Sequence, residues 1–237
     1  MADTIRNESN INRWLKLLLK IAVTVACFWY VSGKIDFAKA WTAVKNANGF
    51  FLFLALLAFI LSKLISSLRL NIYFRNIGVN LNEIQNIKLY WLGMFYNLFL
   101  PGSISGDAYK VYLLKKKYNT TYKKATAAVL LDRFSGLLGL GLILAVYSFI
   151  VIPNDLYVVI IVTGSIVAVA SLYLVIKYWL KDFIPGFYST LFLGILVQAA
   201  QVVCVYFIIT ALGIPAHNTE YVFIFLISSV AAVLPFT

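Results

Sequence analysis

Five stretches of this chain run for about twenty residues with few charges: 15–32, 50–70, 125–152, 156–176 and 187–212. A sixth apolar run starts at Tyr221 and is still continuing at Thr237. A helix needs about 20 such residues to cross roughly 30 Å of hydrocarbon. Inside hydrocarbon every backbone amide must be paired within the protein, which leaves helices or closed barrels. Runs of this length select the helix, so the chain is expected to be all-α, a polytopic transmembrane helix bundle with a re-entrant segment. Composition agrees: 62% of residues are hydrophobic and 12% charged, against about half and a quarter in soluble domains. A water-soluble enzyme is excluded, and so is disorder, whose signature is low hydrophobicity. The first run does not read as a cleaved signal peptide. Lys16 and Lys20 lie in its opening turns, and no small-x-small site follows Trp29-Tyr30.

The segment Ile84 to Leu100 sets the topology. Its strongly apolar part, Leu89 to Leu100, is about a dozen residues, short for a span and typical of a re-entrant piece. If it returns to the side it came from and the N-terminus is cytoplasmic, fifteen Lys and Arg face the cytoplasm. Three face outward: Lys34, Lys39 and Lys45. If it spans, the six lysines from Lys110 to Lys124 move outside, against the positive-inside rule. The expected topology is therefore re-entrant. Lys63 and Arg69, near the end of the second run, are expected to snorkel to the interface. Short connections such as Pro153-Asn154-Asp155, with no repeat or linker, suggest one integral membrane domain over residues 1–237.

Two places carry polar chemistry. The first is Asn97-Leu98-Phe99-Leu100-Pro101-Gly102-Ser103-Ile104-Ser105-Gly106-Asp107-Ala108-Tyr109-Lys110. The apolar run breaks at Pro101-Gly102, and free amides from Gly102 to Gly106, with the Ser103 and Ser105 hydroxyls, can bind an anion such as phosphate. The plainer reading is a Pro-Gly turn with Asp107 capping a helix from Ala108 through Lys117. The second place is Asp132-Arg133, deep in the run that starts at Ala125, where charge is costly and marks a site by default. Ala125, Ala128, Asp132, Ser135 and Gly139 recur at spacings of 3 and 4. They form one small-residue face suited to close helix approach, so Asp132 is expected to point into the bundle, toward the loop after Pro101. Arg133 is turned about 100° away. A buried ion pair, Asp132 with Lys110 or Arg133 with Asp107, is the structural alternative. Gly136, Gly139 and Gly141 read as helix packing.

The remaining signals are weaker. The chain carries 20 Lys and Arg against nine Asp and Glu. Lys115, Lys116, Lys117, Lys123 and Lys124 sit beside a span, where topology and anionic head groups explain them without nucleic acid. Cys27 and Cys204 lie within apolar runs and read as small core residues, and the single His217 builds no metal cluster. No Walker loop, HExxH, Gly-x-Ser-x-Gly or paired-carboxylate cluster is present, so neither cofactor nor metal is expected.

Asn97 to Lys110, followed by Ala125-x-x-Ala128-Val129-Leu130-Leu131-Asp132-Arg133-x-x-Gly136-Leu137, resembles the lysylphosphatidylglycerol synthase transmembrane region family, the flippase-like domain proteins. These include the membrane half of the bacterial multiple peptide resistance factor and archaeal proteins linked to dolichol-based glycosylation. The family pattern is an Asn, then Leu-Pro-Gly-Ser, a Gly-Gly-Asp-Ala core, a basic residue, and Asp-Arg on the next helix. Ser105 stands where the first of the paired glycines is usual, and Lys110 where arginine is usual. The family continues past a late proline into a glycine-rich stretch ending in Arg-Glu, so a chain stopping at Pro235-Phe236-Thr237 reads as truncated at its C-terminus.

The resemblance implies a protein of a prokaryotic cell membrane that binds and translocates an anionic phospholipid or a polyprenyl-phosphate-linked lipid. It places the head-group site at Asn97, Pro101, Gly102, Ser103, Ser105, Gly106, Asp107, Lys110, Asp132 and Arg133. It implies no enzyme activity, because lysyl transfer in the family belongs to a soluble domain for which 237 residues leave no room. Two other functions compete. One is a membrane-embedded glycosyltransferase or lipid-modifying enzyme with Asp107 as base, which charge counting opposes by placing Asp107 inside. The other is a non-catalytic scaffold. Membrane lipids are the expected partners, nucleic acid is not, and self-association stays open.

Overall fold

The computed structural model describes residues 22, 25, 26, 28–99, 105–214 and 218–233. Most of the expected first span lies outside them, as do Cys27, His217, Pro101, Gly102, Ser103 and the last four residues. Contacts divide the chain into two units, Met1–Ala47 and Asn48–Thr237. The first holds a helical stretch over 28–34 and helix α1 (Phe37–Lys45), which starts where Asp36 accepts from the amides of Ala38 and Lys39.

The second unit is a helical bundle with no strand among the described residues. In order come α2 (Gly49–Asn76), α3 (Glu83–Phe99), α4 (Ser105–Tyr118), α5 (Tyr122–Val151), α6 (Asp155–Trp179), a 3-10 turn (Lys181–Gly186), α7 (Phe187–Ala211) and α8 (Asn218–Val233). Four segments are long and apolar enough to cross a bilayer: α2, α5, α6 and Lys181–Ala211. The protein is membrane-embedded. These bounds fall within a few residues of the apolar runs, because polar caps stop each helix where the run stops. Asn48, Thr121 and Asn154 each accept from an amide in the first turn of the following helix, satisfying donors the helix cannot pair internally. Gly78 and Gly213, both at positive φ, close α2 and α7. In each case the next residue, Val79 or Ile214, donates back to the carbonyl of Phe74 or Ile209.

The Asn48 amide donates to the Ala211 carbonyl at 2.8 Å, and Lys124 meets Asp182 at 2.7 Å. The start of α2 therefore lies by the end of α7, and the start of α5 by the 3-10 turn. One end of the bundle collects Arg75, Lys88, Lys115, Lys116, Lys117, Lys123, Lys124, Lys177 and Lys181, and it is called the basic end below. α7 packs most extensively on α2 and α5. Its crossing with α5 is closed by glycines: a Cβ on Gly139 would stand 2.5 Å from the Gly194 backbone, and one on Gly194 would stand 2.7 Å from the Ser135 carbonyl oxygen. Lipid is as apolar as leucine, so such close contacts drive helix association here. α6 is different. Only 6% of its most apolar window is buried, so it serves as an outer wall.

Two apolar cores result. One, at the basic end, gathers Leu70, Tyr73, Phe74, Val111, Leu114, Ala125, Ala128, Ile176, Phe183 and Phe187. The other gathers Leu140, Ile209, Val222 and Leu226. α3 and α4 form an antiparallel hairpin: Leu81, Gln85 and Lys88 share a cleft with Leu113, Lys117 and Tyr118, while Asn97 meets Gly106 at the other end. The outer face of α3 is apolar and exposed at Trp91, Phe95 and Leu98.

Candidate functional site

Charge inside this bundle is concentrated on two consecutive residues of α5. Asp132 lies ten residues into the helix, about 15 Å from its start at 1.5 Å per residue, and seven residues into the apolar run that begins at Ala125. Ala125, Ala128, Asp132, Ser135 and Gly139 are all buried, as their spacing predicts.

The partner of Asp132 differs from expectation. Its Oδ1 accepts from Arg69 Nε at 2.8 Å, and both side chains are at least nine-tenths buried. Arg69 therefore does not snorkel, and Asp132 pairs with Arg69 where Lys110 was the alternative; the loop from Pro101 lies outside the described residues. The reason lies in local shape. Gly136, one turn beyond Asp132, would place a Cβ 3.1 Å from Arg69 Nη1, so its hydrogen leaves room for the guanidinium. Arg69 Nη1 and Gln198 Oε1 are both buried and lack a hydrogen-bond partner among the described residues, and Gln198 Nε2 donates to the Gly136 carbonyl at 3.4 Å. Ser62, Ser66 and Ser67 of α2 are also buried. The α5 side of this polar seam follows from its small-residue spacing, but its meeting with Arg69 does not, because that rests on α2 and α5 meeting at one particular register.

Arg133 faces the hairpin and forms an ion pair through Nε with Asp107 Oδ2, as the structural alternative anticipated. Lys110 Nζ meets the other oxygen of Asp107 at 3.0 Å and lies 5.0 Å from the centre of the Tyr90 ring. Asp107 and Lys110 are 6% and 5% exposed. Helix α4 begins at Ser105, so Asp107 sits in its first turn with both oxygens holding cations, and it is not the cap of a helix from Ala108. On α4, Asp107, Lys110, Val111 and Leu114 are buried at i, i+3, i+4 and i+7, the inward face of an amphipathic helix.

Glycine lets the hairpin close this tightly. A Cβ on Gly106 would fall 1.8 Å from the Gly93 carbonyl oxygen, and one on Gly93 would fall 2.2 Å from Lys110 Cε. The Lys110 stem thus lies across the bare face of Gly93. Asn97 Oδ1 accepts from the Gly106 amide at 2.7 Å, so that amide is not available to an anion, and the rings of Tyr96 and Tyr109 pack at a tilt of 58° with centres 4.5 Å apart. Of the residues expected to form the site, the structure brings together Asn97, Gly106, Asp107, Lys110 and Arg133. Ser105 opens α4 beside them, Asp132 turns to a neighbouring sector where it pairs with Arg69, and Pro101, Gly102 and Ser103 lie outside the described residues. Gly93, Tyr90 and Arg69 escaped sequence reasoning. The i, i+3, i+7 spacing of Tyr90, Gly93 and Asn97 on a short apolar helix is the signal that could have found the first two.

The formal charges of the hairpin cluster are −1 for Asp107 and +1 each for Lys110 and Arg133, leaving one excess positive charge. Such a group suits an anion, and an arginine fork beside an ammonium suits phosphate.

Comparison with known proteins agrees with the motif. The profile of the family described as the lysylphosphatidylglycerol synthase TM region matches residues 17–189. A UPF0104 membrane protein of Pyrococcus horikoshii is 26% identical over 125 residues, covering 52% of this chain and 36% of that protein. The chain thus matches about a third of the length of this curated relative. No solved structure matches.

Proposed function

This chain belongs to the lysylphosphatidylglycerol synthase TM-region family, and from that premise we propose that it binds the phosphate of an anionic lipid and carries the head group across a prokaryotic cell membrane. The lipid is a phospholipid or a polyprenyl-phosphate-linked lipid, since both present the same phosphate. One observation carries the reading: Asp107, Lys110 and Arg133 form a buried, hydrogen-bonded cluster with more cation than carboxylate. Lys110 and Arg133 receive the phosphate, Asp107 holds both cations in place while the site is empty, and Asn97 with Gly106 fixes the hairpin tip that carries Asp107 and Lys110 against Arg133 of α5. Head group and protein then exchange partners in a site shielded from hydrocarbon, which lowers the cost of moving charge through the bilayer.

The basic end faces the cytoplasm in this reading, with the N-terminus on the same side, as the positive-inside rule requires. The α3–α4 hairpin enters from that face and returns to it. A membrane transferase using Asp107 as base is less well supported, because each oxygen of Asp107 already accepts from a cationic donor.

The test is lipid exchange by the purified protein in proteoliposomes. Fluorescent phosphatidylglycerol should become accessible to external dithionite at least tenfold faster than in protein-free vesicles. A rate equal to that of empty vesicles would leave a scaffold. For topology, cysteines introduced at Asn82 and Tyr122, in a background free of Cys27 and Cys204, should label from the same side. Labelling from opposite sides would end the re-entrant reading.

A further inference from the structure

The hairpin closes at its tip and opens at its base, and glycine explains the difference. At the tip, Gly93 and Gly106 bring the two backbones into contact. Toward the base the facing positions are Leu89 and Leu92 on α3 and Leu113 and Leu114 on α4, whose side chains hold the arms apart. The cleft between them has a volume of about 250 Å³. Lys88 and Lys117, one from each arm, also line it and are solvent-exposed.

Neither lysine makes an ion pair among the described residues, whereas Arg75 and Lys124 at the same end pair with Glu83 and Asp182. Among the described residues no carboxylate lines the cleft. Two unpaired ammoniums over a leucine-lined slot complement an anionic phosphate attached to an acyl chain. We propose that this cleft binds one anionic phospholipid, with its phosphate between Lys88 and Lys117 and an acyl chain along the leucines. The site is separate from the Asp107–Lys110–Arg133 cluster, and it deepens the proposed function by giving the anionic lipid a docking place at the membrane surface. It rests on the hairpin entering the bilayer from its base, which sets the lysines at phosphate depth and points the slot inward. The cleft is smaller than a pocket that encloses a whole small ligand, so it takes part of one lipid while the rest stays in the bilayer.

The experiment is native mass spectrometry of the full chain in detergent, in an Arg133→Leu background so that only the cleft is counted. Titration with dioleoyl-phosphatidylglycerol should show one lipid held at least tenfold more tightly than dioleoyl-phosphatidylcholine. Lys88→Gln with Lys117→Gln should remove that preference, since each ammonium near anionic lipid is worth about fivefold. Leu113→Trp, which fills the slot and leaves both lysines, should abolish retention of either lipid. Excess glycerol phosphate should not displace the lipid. Equal retention of the two lipids, an unchanged preference in the double glutamine variant, or displacement by glycerol phosphate would each overturn the proposal. The detergent measurement is independent of topology and exchange, so failure of the flippase reading or of the cysteine labelling is read separately.

Discussion

Asp132 and Arg133 are neighbours in sequence, yet they belong to two different electrostatic devices. Asp132 turns toward α2 and meets Arg69, one charge against one, with side chains 10% and 6% exposed. Arg133 turns toward the hairpin, its side chain 27% exposed, and shares Asp107 with Lys110. The first group is neutral overall and closed in by Gly136. The second is in excess by one cation and joins α5 to a hairpin whose tip and base are held differently. A balanced pair cancels its own charge and fixes the register of two helices, although Arg69 Nη1 is left without a hydrogen-bond partner among the described residues. An unbalanced group is a standing attraction for an anion. The proposed function therefore places assembly on the pair and binding on the cluster, and substitution can break that division.

The largest effect is expected at the balanced pair. Asp132→Asn leaves the Arg69 guanidinium buried without its counter-charge, and breaking such a pair costs about 3–5 kcal/mol. The midpoint of thermal aggregation in detergent should fall sharply or the protein should fail to assemble. Arg69→Met with Asp132→Leu removes both charges and should recover most of the stability, with lipid exchange within a few-fold of wild type. If the stable double variant has lost exchange entirely, the pair belongs to the site and the division is wrong.

Next comes Gly106→Ala. The new methyl would meet the Gly93 carbonyl oxygen, a backbone atom that cannot swing away, and overpacking of this kind typically costs about 1–3 kcal/mol. Exchange should fall with it, because the tip carries Asp107 and Lys110. Gly141→Ala is the control, since its methyl would stand 3.4 Å from Ser165 Oγ at the nearest and should be tolerated. Equal behaviour of the two would remove the close approach as a requirement.

These outcomes bear on what the sequence could reveal. The four spans among the described residues were legible because each is a long apolar run, and the α5 seam from Ala125 to Gly139 was legible because small residues at a 3–4 spacing form one helix face. The Arg133–Asp107 pair was a stated alternative, since both residues stand out as charges in an apolar setting. Arg69 was not legible as a partner. It lies toward the end of its span, where arginine usually snorkels, and its contact with a residue 63 positions away depends on how α2 and α5 slide past each other. Of the two alternative pairs, Arg133 with Asp107 forms and Asp132 with Lys110 does not, because Lys110 lies one turn after Asp107 on the same helix and meets it directly.

A smaller effect on stability is expected from Arg133→Leu. Asp107 keeps Lys110 as a partner, so no carboxylate is stranded, and leucine inserts into a bilayer more readily than arginine. The aggregation midpoint should stay close to that of wild type while exchange drops at least tenfold, about 1.4 kcal/mol in the barrier. Arg133→Lys should recover part of it, because an ammonium supplies charge without the fork. Unchanged exchange in Arg133→Leu would move the site elsewhere.

The most delicate test adds charge and leaves packing alone. Asn97 Oδ1 accepts from the Gly106 amide in the first turn of α4, a position where a carboxylate accepts equally well and is favoured by the helix dipole. Asn97→Asp should therefore hold the hairpin together, with a stability change below about 1 kcal/mol. Asn97→Ala loses the acceptor and should be the less stable of the two. For exchange the order reverses. The new carboxylate brings the cluster to two negative against two positive charges, the same balance as Arg69 with Asp132. Exchange of anionic lipid should then fall several-fold in Asn97→Asp and less in Asn97→Ala. If Asn97→Asp exchanges lipid as fast as wild type, the excess positive charge is not what draws the phosphate, and geometry alone must separate the two groups.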